Sequence, residues 1–479
     1  MRSGTAIGVA AIALAGWGAA CSGFGGGGES VARDESVARD ENPLRPMERT
    51  MLGPAAPYPA DRGLRARTTE LDGSIKARRA AAWEAVARAL APVAIAEQAL
   101  PLDAGCADAR DGGDGGDSGA AAKVPAFRTW YGKDDFERAF ATAFSAMSPE
   151  DREKRRALGD DAIAAALAKN ARSRGSASGS DYANRLALVV DGPALEGIGG
   201  NARVSYSPGA VAHLMKSYAH TRDCRTPRTD DPVPSPTSFA PCLGEEMPPD
   251  AAVVKTSWSR ANFGQNVPVY ETSAKALAGR LRGEVDDGGW GAGTGSASPA
   301  PTEIYTIRLT DRASYRLAGM HLMTKELREW LWITLWWSPD PDSDFGADRP
   351  EAIRRLGGPW SHYKMCVVTS YEERDPDPRG GYEGSLGDAL EAVHGGASAP
   401  TWCSNPSIER GAHNAQTNCI GCHQHASTDL TSEAILGNPA RFPSSGRTRL
   451  RQSFLSDYLW ALGSPPEQLT EIIRRQIGE

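Results

Sequence analysis

Nowhere in its 479 residues does this chain hold a run of about 18 apolar residues, so no segment reads as a membrane span of the mature protein. No lysine follows Lys364 and no methionine follows Met365. Of the eight cysteines, only 419 and 422 form a close pair, and those at 21, 106, 224, 242, 366 and 403 supply no second one. A four-cysteine zinc cage therefore finds no support. Charge of neither sign dominates, with 60 acidic against 53 basic residues and a net charge of -7, and nucleic acid is not an expected partner. An apolar fraction of 40% over this length is enough for a real core and for two or three domains.

What the chain does hold is Cys419-Ile420-Gly421-Cys422-His423, the CxxCH spacing of covalent haem attachment. Residues three apart on a helical turn share a face, so two thiols can meet the two vinyl groups of one porphyrin. His423 follows directly and reaches the iron axially, its other ring nitrogen fixed by a hydrogen bond. Gly421 leaves room for the macrocycle close to the backbone. A thioredoxin-like dithiol would need an α/β context that the chain lacks. The expected cofactor is one covalent haem c.

The N-terminus reads as an export signal: Arg2, an apolar run from Ala6 to Ala15, then Gly18-Ala19-Ala20-Cys21. This ending is of the lipoprotein type, with Cys21 as the lipidated first residue of the mature chain. Residues 1–21 are thus a signal peptide and 22–65 a flexible tether carrying a tetraglycine and a tandem hexapeptide, Glu29–Asp34 and Glu35–Asp40. The expected location is the periplasm or outer membrane, anchored by lipid. Gly- and Asp- or Ser-rich tracts at 103–122 and 283–301 mark further linkers within a mixed region spanning 66–399.

Periodicity predicts an α+β fold with a helical N-terminal part and a β-containing middle. Trp83, Val86 and Leu90 recur at helical spacing, and so do Phe136, Phe140, Phe144 and Met147 behind the cap candidate Asp134. Ser148-Pro149 opens another helix. Strands are expected at 186–190, 252–255, 304–309, 315–323, 331–337 and 365–369. Four tryptophans fall between Trp330 and Trp337, as a buried strand or as the wall of a haem pocket. Downstream, Asp340, Asp342, Asp344, Asp348 and Glu351 take the spacing of a calcium loop, but Phe345 stands where such a loop needs glycine. Ion pairing with Arg349, Arg354 and Arg355 competes with calcium there. Leu450, Phe454, Leu455, Tyr458, Leu459 and Leu462 predict a closing helix that stops at Gly463. Four arginines, 441, 447, 449 and 451, precede it.

Gly319 to Glu326, Trp332 to Trp337 and Cys419 to Ala426, supported by Phe127 to Tyr131, Val204 to Pro208, Val253 to Trp258 and Ser404 to Glu409, together resemble large exported bacterial cytochrome c family proteins of the lipoprotein type. The resemblance spans roughly residues 125 to 463. It implies a haem and a mixed fold, and it supplies no substrate. It also implies a small, mostly helical cytochrome c-like domain at 400–479. In such domains the iron's second ligand is usually a downstream methionine, which this chain lacks. His321 is the first candidate in its place and Met365 the second, followed by His394 and His413. The expected role is electron transfer with redox partner proteins, without catalysis. An open iron site for peroxide or oxygen chemistry, or a gas-sensing or partner-binding module, is the alternative. Cys224 with Cys242 is the first disulfide expected and Cys366 with Cys403 the second, leaving Cys106 single.

Overall fold

Six strands whose side chains alternate between two apolar sets build a sheet with a separate core on each face. A computed structural model describes residues 55–94, 123–173, 202–224, 240–260, 266–284, 287–308, 314–370, 373, 375–394, 402–427, 430–438, 455–462 and 469–479. The fold is α+β. Cys21, Cys106, the tract 103–122, the strand expected at 186–190, Gly463 and the four arginines from 441 to 451 lie outside the described residues.

The sheet comprises β1 (Ala202–Tyr206), β2 (Ala252–Arg260), β3 (Thr306–Arg308), β4 (Ser314–Thr324), β5 (Leu331–Trp337) and β6 (Tyr363–Val368). Its order is β6-β5-β4-β2-β1, every pairing is antiparallel, and β3 pairs with the start of β4. On β5 every residue is buried. Leu331, Ile333, Leu335 and Trp337 enter one core while Trp332 and Trp336 enter the other, as period 2 requires. On β4 the period slips once. Ser257 pairs with Gly319 and Trp258 with Leu317, so Ala318 is the extra residue of a β-bulge. Before the bulge Tyr315 and Leu317 face the second core; after it Met320 and Leu322 do. His321 is thereby turned toward the first.

Helix α1 (Ile75–Leu90) covers the second core with Trp83, Val86 and Leu90, behind the cap Ser74, whose side chain accepts from Ala77 N. On the first core lies α2 (Lys133–Ala146), with Phe136, Phe140 and Phe144 stacked at 6.0 and 5.7 Å. Its cap differs from expectation: Gly132 is the N-cap residue, and its N–H donates to Asp135 Oδ2 at 2.9 Å. Also on this core are α3 (Pro208–Lys216), α4 (Gly384–His394) and the last helix, α6 (Leu469–Ile477). The CxxCH residues form a one-turn helix between these last two, α5 (Cys419–His423).

Three expectations change on folding. The tract 283–301 is not a bare linker: Trp290 is buried, its Nε1 donates to Ser404 Oγ at 2.8 Å, and Gly295–Ala297 pairs with Val267–Val269. The chain is already packed at Ala55 and Tyr58, inside the expected tether. The described part of the closing helix, residues 455–462, is a turn followed by a short 3-10 segment, with Asp457 and Tyr458 at φ 49° and 66°. Its apolar residues are buried as the pattern implied, but Tyr458 O and Asp457 are bound elsewhere.

The acids of the calcium-like spacing turn to different cationic partners. Asp342 meets Arg349 at 2.7 Å, Asp344 meets Lys364 at 3.2 Å, and Asp348 meets Arg79. Three of the five acids are thus paired with three separate cations.

Both expected disulfides are present, Cys224–Cys242 and Cys366–Cys403. The first closes a loop with a sequence separation of 18, whose entropy in the unfolded chain corresponds to about 3 kcal/mol. A Cys224→Ser/Cys242→Ser double variant is expected to lose about that much in urea unfolding, and an unchanged midpoint would count against it.

Candidate functional site

α5 starts at Asn418, whose Oδ1 accepts from Ile420 N at 3.0 Å and Gly421 N at 3.4 Å. This cap satisfies donors that one helical turn leaves open. Cys419 is buried, with its Sγ 3.9 Å from Cys403 O, while Cys422 is half-buried beside Ile435, Leu436 and Trp460. Among the described residues these two are the only free cysteines. Burial holds both thiols well above the ordinary cysteine value, so both are protonated at neutral pH.

His423 is held from the other side. Its Nδ1 lies 3.0 Å from Tyr458 O, and because a carbonyl can only accept, Nδ1 carries the proton and Nε2 keeps its lone pair. The carbonyl belongs to the turn with two consecutive left-handed residues, Asp457 and Tyr458, a conformation that costs roughly 1–3 kcal/mol per residue and persists only when surroundings enforce it. Here they do. Asp457 Oδ1 binds Lys325 Nζ at 2.7 Å, Oδ2 accepts from Met247 N at 2.9 Å, and Trp330 Nε1 donates to Asp457 O at 3.0 Å. Lys325, Asp457 and Trp330 are all buried. A buried ion pair thus sets the carbonyl that sets the histidine.

The opposing wall is the sheet. His321 on β4, Lys255 on β2 and Trp332 on β5 share its face, since Lys255 pairs with His321 and His321 with Thr334. The Trp332 ring lies 4.5 Å from that of His423. Between Cys403 and α5, the segment Ser404 to Glu409 lies flat on this face. Asn405 Nδ2 donates to Thr334 Oγ1 at 2.6 Å and to Leu335 O at 2.8 Å, while its Oδ1 accepts from Ser407 N at 2.8 Å. Gly319 makes the approach feasible: a Cβ there would meet Asn405 Oδ1 at 2.8 Å. The Asn405 N–H in turn binds Glu409 Oε2, which brings a carboxylate to the site.

Burial governs the electrostatics. It pushes Glu409 up to about 7 against the opposing pull of the Asn405 N–H and of Lys255. Lys255 is brought down to about 8 by burial, opposed by Glu409. Burial lowers His423 to about 4. His321 is held well below its ordinary value by burial, and further by Lys255 and His423. Both histidines are neutral at pH 7, the form that binds a metal.

The structure brings Cys419, Cys422, His423 and His321 to one place and leaves Met365 out. Met365 enters the second core, on the far face of the sheet. His394 is buried with its Nε2 3.6 Å from Asp375, which pairs with Arg78, and His413 is exposed at φ 62°. The donor chemistry fits a c-type haem: two free thiols one turn apart, a histidine with its tautomer fixed, and a second neutral histidine whose ring nitrogen lies within 4.8 Å of the Cys419 sulfur. Lys255 and Glu409 escaped the sequence reading. Their signal was present as a lysine among the apolar residues of a strand, Val253 to Trp258, and an acid closing the segment from Ser404.

Two outcomes are expected. Lys325→Met leaves the Asp457 carboxylate buried and unpaired and costs about 3–5 kcal/mol in urea unfolding, whereas Lys325→Arg retains most of the stability; equal losses in both would refute a charge clamp. In the haem-free chain the folded His423 has the lower pKa, so its contribution to stability is complete above its unfolded value near 6.5 and is lost as pH falls toward 4. His423→Gln is expected to flatten this window in pH-dependent unfolding. No protein-family model, curated protein or solved structure matches this chain.

Proposed function

We propose that the chain is a monohaem c-type cytochrome that transfers electrons in the bacterial cell envelope, tethered by a lipid on Cys21 and serving redox partner proteins. The observation that carries this reading is the state of the cysteines. The other described ones are joined in disulfides, and Cys419 and Cys422 alone stay free, one helical turn apart and next to a histidine whose Nδ1 is already engaged. A haem c bound here would supply a one-electron iron couple. Cys419 and Cys422 would hold it through thioether bonds and His423 would be its axial ligand.

His321 would be the second ligand in this reading: it is neutral, and its ring nitrogen lies within 4.8 Å of the Cys419 sulfur. Trp330, Trp332 and Trp336, all buried, exclude water from the sheet side, and a dry, two-histidine site favours transfer over ligand chemistry. Among the described residues no helix is long and apolar enough to cross a membrane.

A second reading has its own support. Glu409, raised to about 7, and Lys255, lowered to about 8, are both half-buried, with Glu409 near His321 and Lys255 paired with it on the sheet; groups so placed could move protons to bound peroxide or oxygen. The readings part on whether His321 closes the iron.

Co-expression with a haem-attachment system is expected to give one covalent haem per chain, lost in Cys419→Ala/Cys422→Ala. The reduced protein is expected to be low-spin and indifferent to carbon monoxide, and His321→Ala to bind it promptly. Prompt binding by the unaltered protein would favour the open-site enzyme. No covalent haem in the unaltered chain would reject both readings.

A further inference from the structure

We propose that His321, Glu409 and Cys419 form a binding site for a divalent cation of the zinc class, occupied when the chain carries no haem. One donor atom from each lies within 4.8 Å of the other two. They come from three separate elements, the strand β4, the segment pinned by Asn405, and the helix α5. The frame joining them is rigid: the Cys366–Cys403 disulfide ties β6 to the start of the pinned segment, and Asn418 caps α5.

The donor set selects the ion. One imidazole nitrogen, one carboxylate oxygen and one thiolate sulfur suit zinc, whereas calcium and magnesium require oxygen alone. Three protein donors leave a fourth position for water. The sequence argument against zinc counted only cysteines. Folding supplies the missing ligands from residues 98 and 10 positions before Cys419, which no spacing rule would join.

Charge argues the same way and names the opponent. A thiolate and a carboxylate neutralise a dication, removing the penalty that burial imposes on each of them alone. Lys255, half-buried on the same face, repels the ion. Cys419 gives the two occupants exclusive claims: its sulfur becomes a neutral thioether on haem attachment and then ceases to be a thiolate ligand. This inference goes beyond the haem reading and shares only Cys419, His321 and the site with it.

The test uses the full chain made without a haem-attachment system, stripped with chelator and titrated with Co2+ alone. One ion per chain is expected, with a thiolate-to-cobalt charge-transfer band and intense four-coordinate d–d bands, all displaced by Zn2+. His321→Ala and the near-isosteric Glu409→Gln are each expected to weaken binding by about 10- to 100-fold. Lys255→Met is expected to tighten it, and Cys422→Ser to leave it in place. Absence of the charge-transfer band would overturn the proposal. So would binding that survives His321→Ala and Glu409→Gln but is lost in Cys422→Ser, the mark of simple chelation by the dithiol. Covalent haem in the co-expressed chain is scored separately, so either reading can fail without the other.

Discussion

The parity of an antiparallel sheet buried on both faces fixes which strand residues reach the site. With a core on each side, a shift of one residue would exchange two apolar sets of different shape and bury Lys255 and His321 among residues that offer them no partner. The bulge at Ala318 is where that parity is set for β4. Without the extra residue, the strand that places Leu317 in the second core would place His321 there too. Trp332, Thr334 and Trp336 follow from β5's pairing with the same strand, so one irregularity orients the whole wall.

Against this wall the remaining parts pack through the first core, with Trp402, Ile420, Tyr458 and Leu459 among its members, and polar contacts fix their register. Asn405 spends its side chain on the sheet and on its own turn, and the absence of a side chain at Gly319 lets it lie close. The Lys325–Asp457 pair performs the corresponding task for the turn that holds His423. Lys325 follows His321 by four residues, so one segment of chain governs both imidazoles, one directly and the other through a buried charge.

Much of this was legible before folding. The CxxCH spacing fixed which thiols and which histidine meet, and period-2 alternation located β2, β4, β5 and β6, because those signals are local. The first-ranked second histidine was placed by resemblance, and the fold sets it on the same sheet face as Lys255 and Trp332. Met365 lies on the other face, and the side a strand residue faces depends on pairing that no local pattern contains. The closing helix failed for a related reason. The apolar residues 455, 458, 459 and 462 fit a helical stripe, yet a tertiary ion pair at Asp457 overrides helical preference. Glu409 and Lys255 influence one another's charge from more than 150 residues apart in the chain, beyond the reach of any motif.

The disulfide between Cys366 and Cys403 poses a sorting problem to the folding chain. It closes beside Cys419, whose sulfur rests against the Cys403 carbonyl, and four neighbouring cysteines allow three complete pairings. Only the bond from 366 to 403, made while the other two thiols stay reduced, leaves both thiols of the CxxCH for later chemistry. The two free thiols of α5 are thus what the correct choice of partner for Cys366 leaves over, so one pairing decision settles the state of all four sulfurs.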